Sequence, residues 1–390
     1  MNDAMRRRLT RSKQKFKITN KSLKNIRMDH SPKNRILTLI RDNPYLSQQE
    51  LAVQVGISRS AVAGHIAALT REGQILGRAY VLPQAQRPIV CIGGANIDRK
   101  VHTLQPLVMG TSNPVSVQET FGGVARNLAE NLARLGAPTQ LLTAVGQDAA
   151  GQHLLQAMQQ LGVDTSGCLH AAGMNSGTYT AVLNDTGEMV LALAHMDVCV
   201  RQTPEWLQQC SVQRNAAGMI VADLNLSAES VVQLIHDAAQ STIPLIIVAV
   251  SEPKMANLPA DLHGVALLIL NIGELQTRVA RPLNTDDEIA AACREVQAQG
   301  ARNVMVTRGA QGVWYTDGER VQHLAAPQVA VRDVTGAGDA FSSAVCWSLY
   351  HTPQDMALAA RRGVALSART VQSEQSVLPD LHADLLESVD

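Results

Sequence analysis

The sequence predicts an α/β protein: a three-layer body with a mostly parallel sheet between helices, a small β lid, and a small helical module ahead of both. Three observations carry this expectation. From residue 89 onward, short continuous apolar runs alternate with helical stretches, the pattern of strands buried on both faces. Two segments within 178–193 instead alternate in polarity around a turn, as half-buried strands do. Residues 31–72 carry helix-spaced apolar stripes within a basic stretch.

Composition bounds the possibilities. The chain has 390 residues, of which 46% are hydrophobic, 17% charged and 3% aromatic. That is enough for two or three domains and excludes a mostly disordered or fibrous protein. No apolar run approaches the roughly 18 residues needed to cross a bilayer, so no membrane partner is expected. The formal net charge is zero, yet residues 1–30 sum to +8, residues 31–87 to +4 and the remainder to −12. A polyanion is therefore a partner for the head alone. Residues 1–30 read as a basic disordered arm without the apolar core of a secretory signal. Six scattered cysteines (Cys91, Cys168, Cys199, Cys210, Cys293, Cys346) contain no C-x-x-C pair. They fit buried thiols in a reducing, cytoplasmic setting better than disulfides or zinc.

The head module comes first in the chain. Ile36, Leu37, Leu39 and Ile40 form a stripe on a helix that Asp42-Asn43-Pro44 should end. Ser47 and Glu50 have capping-box spacing ahead of Leu51, Val53 and Val55. Gly56-Ile57-Ser58 is a tight turn. A third helix over roughly 58–72 sets Val62, Ile66 and Leu69 inward and Ser58, Arg59, Ser60, Ala63 and His65 outward. Gly73 stops it, and residues 74–82 read as a two-stranded wing turning near Gly77-Arg78. Residues 31–83 in this order resemble a winged helix-turn-helix. The resemblance implies a third helix in the major groove, with Arg59 on bases or phosphates and Arg78 on the backbone. DNA is then the partner of residues 1–83; a small helical protein-interaction domain is the alternative.

After a Pro/Gln linker at 84–88, the body occupies 89–390. Buried strands are expected at 89–92, 141–145, 218–223, 245–248, 267–270 and 303–306. Helices are expected at 124–135, 149–161, 228–240, 286–299 and 340–350. In such sheets ligands gather beyond the carboxyl ends of the strands. Thr178–Leu183 and Glu188–Leu193 form a hairpin around Asn184-Asp185-Thr186-Gly187, and 99–121 supplies further strands. These lid strands, about 99–121 and 177–194, either cover the substrate or edge the main sheet.

Three glycine-rich turns carry the chemistry. In Asp333-Val334-Thr335-Gly336-Ala337-Gly338-Asp339, a Gly-Ala-Gly helix start exposes backbone N–H groups to an anion. Asp339 in the first turn can take a proton from an attacking hydroxyl, although Asp is also an ordinary helix-start residue. Phe121-Gly122-Gly123-Val124-Ala125-Arg126-Asn127 permits close backbone approach to a ligand and projects Asn127 from a first turn. In Gly93-Gly94-Ala95-Asn96-Ile97-Asp98, a carboxylate at a strand end can accept from two neighbouring sugar hydroxyls.

With these motifs in this order, residues 88–380 resemble the ribokinase/PfkB family of carbohydrate and nucleoside kinases. The resemblance implies a ribokinase-like fold and ATP-dependent phosphorylation of a primary hydroxyl. Asp339 then matches the catalytic base, and the N–H groups of Gly336, Ala337 and Gly338 the anion hole. Asn96, Asp98, Gly122, Gly123, Arg126 and Asn127 fall at substrate-binding positions, Arg126 being distinctive. Asn271 and Glu274 match an N-x-x-E motif that holds Mg²⁺ through water, and Thr307, Gly309 and Gly312 match a nucleotide-lining segment. Asp333 and Thr335 match positions near a monovalent cation, K⁺ in many members. Lid sheets in the family often pair, and DNA sites read by such heads are two-fold, so a homodimer is expected.

Within the family, residues 122–127, Asp185–Met189 and Val221–Asn225 look most like bacterial pseudouridine kinases. Three stretches depart from that pattern. Val248-Ala249-Val250-Ser251 stands where Asp-Pro is frequent, and Ala194-His195-Met196-Asp197 lacks an Asn-Asp pair. Ile269-Leu270 replaces Lys-Pro before Asn271. The expected function is a pseudouridine kinase with a DNA-binding head. A ribokinase-type sugar kinase and a regulator using the kinase fold as a ligand sensor are the alternatives.

Overall fold

The structure, a computed structural model, describes residues 31–43, 46–76 and 86–389. These divide into two compact units, one ending at Thr70 and the other formed by Arg71–Leu76 and the chain from residue 86.

In the head, local chemistry sets each helix end. Ser31 caps α1 (Pro32–Asp42), whose proline sits where no backbone donor is needed. Ser47 and Glu50 close the expected capping box on α2 (Gln48–Val55), and Gly56 ends it at φ 81°. The Ser58 hydroxyl accepts from the Ala61 N–H at 3.1 Å at the start of α3 (Arg59–Arg71). Ile36, Ile40, Leu51, Val62 and Leu69 form the core. Arg35 donates to the Gln54 and Val55 carbonyls, setting a cation at the negative end of α2. Val53, which the apolar run grouped with Leu51 and Val55, is 73% exposed; a helical residue two positions from a core residue faces away from it. Residues 77–82 of the expected wing, Arg78 among them, lie outside the described residues.

The body is built on an eight-stranded sheet. In chain order its strands are β1 (Ile89–Ile92), β4 (Thr139–Leu142), β9 (Met219–Asp223), β10 (Leu245–Val248), β11 (Val265–Asn271), β12 (Val304–Thr307), β13 (Val313–Asp317) and β14 (Arg320–Leu324). The spatial order is β14-β13-β12-β11-β10-β9-β1-β4, parallel from β12 through β4. Ile89 and Cys91 of β1 enter one hydrophobic core, while Val90 and Ile92 enter the other. That alternation explains the unbroken apolar runs. Helices α4 (Val124–Arg134), α5 (Ala149–Gln160), α9 (Ala337–His351) and α10 (Met356–Thr370) cover the first face. Helices α6 (Ala228–Ala239), α7 (Ile272–Val279) and α8 (Asp286–Ala298) cover the second.

The alternating segments form a separate sheet. Strands β2 (Asn96–Thr103), β3 (Val115–Gly122), β7 (Gly177–Leu183) and β8 (Met189–His195) lie in the order β3-β2-β7-β8. The hairpin thus belongs to the lid and not to the edge of the main sheet. The expected 141–145 run breaks at Thr143, whose hydroxyl donates to the Gly93 carbonyl at 2.7 Å. Beyond the break, β5 (Ala144–Gly146) pairs only with β6 (Leu169–Ala171). The antiparallel pair β13–β14 and the helices α7 and α10 were not expected. In α10 the run Ala-Leu-Ala-Ala-Arg-Arg-Gly-Val-Ala-Leu has no sharp polar face, and α7 follows an apolar strand without a loop.

Candidate active site

The chain leaves the main sheet at Gly93-Gly94 to begin β2 and returns through Gly122-Gly123 into α4. Asp223, the last residue of β9, lies beneath this crossing and is fully buried. Its carboxylate accepts from the N–H groups of Gly94 (2.9 Å), Ala125 (2.9 Å) and Asn225 (2.8 Å). One side chain therefore caps α4 and ties down the start of the lid. Burial raises its pKa, while these bonds oppose the rise. Gly123 adopts φ 95°, and a Cβ there would sit 2.5 Å from the Gly94 carbonyl oxygen. Only glycine lets the two turns meet this closely.

The crossing brings the expected substrate residues to the start of α9. In β2, Asn96 pairs in register with Gly122 and Gly177, and its amide donates to the half-buried Asp98 at 2.6 Å. Burial raises the Asp98 pKa. Gly336 is the N-cap of α9 at φ 79°; a Cβ there would lie 2.2 Å from the Ser376 carbonyl oxygen. The Ala337 N–H donates to the Val334 carbonyl at 3.2 Å, whereas Gly338 faces open space. Asp339 follows in the first turn and accepts from the Asn127 amide at 2.6 Å. Burial pushes the Asp339 carboxyl up to about 7; the Asn127 bond and the Arg126 charge oppose this, and the Asp223 and Asp98 charges add to it. Arg126 is buried and donates to Glu130, the Phe121 carbonyl and the Asn127 side-chain oxygen.

A cavity of about 850 Å³ opens between lid and body, with Asp98, Arg126, Lys100, Thr120, Tyr179 and Asp333 on its walls. Lys100 of the lid reaches across to Asp333 at 2.6 Å. The other Asp333 oxygen accepts from the Thr335 N–H and hydroxyl at 2.8 and 2.7 Å. Although burial works against it, the Lys100 and Thr335 bonds hold the Asp333 carboxyl below its usual range. The positive charge facing Asp333 is thus the lid's own ammonium.

A smaller cavity of about 130 Å³ lies beside Asp339 and Gly338 and includes Asn271, Glu274 and Thr307. Asn271 and Glu274 form a reciprocal capping box at the start of α7. Burial raises the Glu274 pKa, and the nearby Glu252 charge adds to the rise. No three His, Cys, Asp or Glu side chains converge into a metal-binding group among the described residues. Gly309 and Gly312 flank a short turn after β12 and line neither cavity. In the head, Ser58, Arg59 and Ser60 are exposed at the start of α3, and His65 is half-buried.

Sequence reasoning named most of these residues but not Asp223, Lys100 or Glu130 as part of the site. Asp223 had one signal: a carboxylate closing an otherwise apolar strand. Lys100 and Glu130 sit on mixed-polarity elements where a charge is unremarkable.

The raised pKa of Asp339 has a stability consequence. Its carboxyl is easier to ionise in the unfolded chain than in the folded one, so stability is full below about pH 4 and lost as pH rises to about 7. Asp339→Asn should therefore stabilise the protein by roughly 2–4 kcal/mol above pH 7 and by little near pH 4. Urea unfolding of both proteins at several pH values checks this, and a gain that does not grow with pH would contradict it.

The model for the pfkB family carbohydrate kinases matches residues 86–383, and one for winged helix-turn-helix DNA-binding domains matches residues 33–75. The uncharacterized sugar kinase YeiI of Escherichia coli (strain K12) is 31% identical, over 90% of this chain and 96% of that protein. The pseudouridine kinase of the same organism is 35% identical, over 66% of this chain and 83% of its own length. The structure of Arabidopsis thaliana ribokinase complexed with ribose and ATP superposes with a TM-score of 0.69 at 21% identity, covering 78% of this chain and 98% of that one. The chain belongs to the pfkB family of carbohydrate kinases: it is a ribokinase-like phosphotransferase with an alcohol acceptor, carrying a winged helix-turn-helix DNA-binding domain at its head.

Proposed function

We propose that the protein transfers the γ-phosphoryl group of ATP to the primary hydroxyl of a nucleoside, with pseudouridine the preferred acceptor and pseudouridine 5′-phosphate the product. The observation that carries this reading is Asp339: a carboxyl held near neutrality, at a helix start, lining the smaller cavity and bonded to Asn127, whose neighbour Arg126 lines the larger one. A base tuned to the working pH is what deprotonation of an alcohol requires. The 35% identical pseudouridine kinase supports the acceptor. So does a cavity roomier than a lone pentose needs, with Phe121 and Tyr179 on its walls to meet a base.

In this mechanism Asp98, oriented by Asn96, accepts from two ribose hydroxyls, and the Gly122-Gly123 backbone packs against the sugar. The acceptor hydroxyl gives its proton to Asp339 as its oxygen bonds to phosphorus, and ADP leaves. The Gly336 and Gly338 N–H groups at the start of α9 face the charge on the transferred group, the Ala337 N–H being turned to the Val334 carbonyl. Thr307, Gly309 and Gly312 are assigned to the nucleotide side. Asn271 and Glu274 would hold a nucleotide-bound Mg²⁺ through water, a role suited to a single buried carboxylate with no direct ligand cluster around it. The ion, when bound, neutralises phosphate charge. Asp333 and Thr335 are assigned to the side where a monovalent cation such as K⁺ would sit, next to the Lys100 ammonium that already pairs with Asp333. Six free cysteines, five of them buried, fit a cytoplasmic setting.

The head is proposed to bind DNA through residues 1–83, with Ser58 ahead of α3 and Arg59, Ser60 and His65 within it toward the groove, and Arg78 on the backbone. A homodimer is proposed through the outer face of the lid. There Val117, Val101, Val182 and Leu191 align in one row across all four strands, and Val117 and Leu191 are more than half exposed. An uncovered apolar row calls for a second copy, and a head that reads a two-fold DNA site requires one too.

ADP release with pseudouridine, uridine and ribose as acceptors tests the activity. Asp339→Asn should lower kcat by about 10²–10⁴-fold, and the wild-type rate should fall as pH drops through about 7. Near-wild-type turnover by the variant would refute the assignment. For the head, Arg59→Ala should weaken DNA binding by about 1–3 kcal/mol in a gel shift; binding insensitive to salt would count against a phosphate-reading surface. For the dimer, Leu191→Glu should convert a dimer to a monomer in sedimentation, and a monomeric wild-type protein would dispose of the proposal.

A further inference from the structure

We propose that Arg126 is a positioning residue that fixes the Asn127 amide against Asp339, rather than a ligand of the substrate. This rests on the reading of Asp339 as the catalytic base. Arg126 is 4% exposed, and both of its terminal guanidinium nitrogens are bonded to protein atoms: Glu130, the Phe121 carbonyl and the Asn127 side-chain oxygen. Its Nε has no partner among protein atoms and is itself buried.

The direction of the relay follows from donor chemistry. Arginine can only donate, so it can face only the oxygen of the Asn127 amide. The amide nitrogen must then point the other way, where it donates to Asp339 at 2.6 Å. A flipped amide would set its NH₂ against a guanidinium and its oxygen against a carboxylate, unfavourable at both ends. With one Asp339 oxygen held by this amide, the other is left to receive the proton. The relay is anchored behind Arg126 as well. Glu130 accepts from Arg134 at 2.8–2.9 Å, and Arg134 donates to the Pro379 carbonyl at 2.7 Å. The Asn127 carbonyl is held by the Asn131 amide at 3.0 Å. The charged groups facing Asp339 are Arg126 of α4, Asp98 of β2 and Asp223 of β9. Arg126 is the one cation among them, so its loss should also move the acid limb of the rate to higher pH.

The experiment uses the full-length protein with Arg126→Met and Arg126→Lys. In the first readout, the side-chain amide signals of Asn127 are followed by NMR, assigned by their loss in Asn127→Ala. In the wild type they should exchange slowly with water, and in Arg126→Met they should exchange like a free amide. In the second, kcat with pseudouridine should fall about 10–100-fold while KM stays within about threefold, with the acid limb shifted upward. Arg126→Lys should restore the limb but not kcat, because one ammonium cannot span both Glu130 and Asn127. A KM raised more than about tenfold at unchanged kcat would make Arg126 a substrate ligand, and unaltered Asn127 signals would break the relay. If Arg126→Met does not fold, Glu130→Gln, which loosens the anchor, should show the same changes at smaller size. If no acceptor is turned over, the kinase reading fails, while the Asn127 signals still decide the positioning claim.

Discussion

A carboxylate sealed from solvent holds this active site together. Asp223 reaches N–H groups on the first lid turn, on the first turn of α4 and on the loop after β9. Burying such a charge is costly unless its oxygens are satisfied, and three backbone donors meet that need. The constraint runs outward from there. Gly94 fixes where β2 starts, and so where Asn96 and Asp98 stand; Ala125 fixes α4, and so Arg126 and Asn127. Asn127 in turn meets Asp339 on α9, a helix that packs directly on α4.

Several carboxylates share this small region yet have different chemistry, and their surroundings explain the differences. Asp223 is saturated by backbone donors and takes no further part. Asp333 is paired with an ammonium and two Thr335 donors, so it stays ionised. Asp339 has one amide donor against its burial and its carboxylate neighbours, and it is lifted to about 7. The same side chain serves as cap or clamp, or is held ready to take a proton, according to its burial and the donors it meets.

The parallel strands could be read from the chain because burial on both faces leaves no room for polar residues, as in Ile89–Ile92 and Leu245–Val248. The lid hairpin was equally plain in its alternation around Asn184–Gly187. The three glycine turns pointed to Asp98, Asn127 and Asp339 because close backbone approach demands glycine whatever the rest of the fold does. What stayed hidden depends on long-range meeting. Lys100 and Asp333 are 233 residues apart, and Asp223 acts on residues 94 and 125. Nothing local in Arg126 distinguished a ligand-binding side chain from one whose donors are already committed. The motif at Asn271 and Glu274 shows the converse, since its spacing fits a metal-linked pair and a helix cap alike, and in the fold it forms the cap.

Strand β2 runs from the floor of the site into its cover, carrying both Asp98 and Lys100. The two face the same way only because they stand two positions apart along the strand. A one-residue insertion or deletion between them would turn Lys100 outward and bring Arg99 or Val101 toward Asp333. The segment is therefore free to change in side-chain detail but not in length by a single step. A two-residue change would keep the facing but shift the ammonium along the cavity by about 7 Å, beyond the reach of its partner. The spacing of these two residues is a ruler that the rest of the lid must respect.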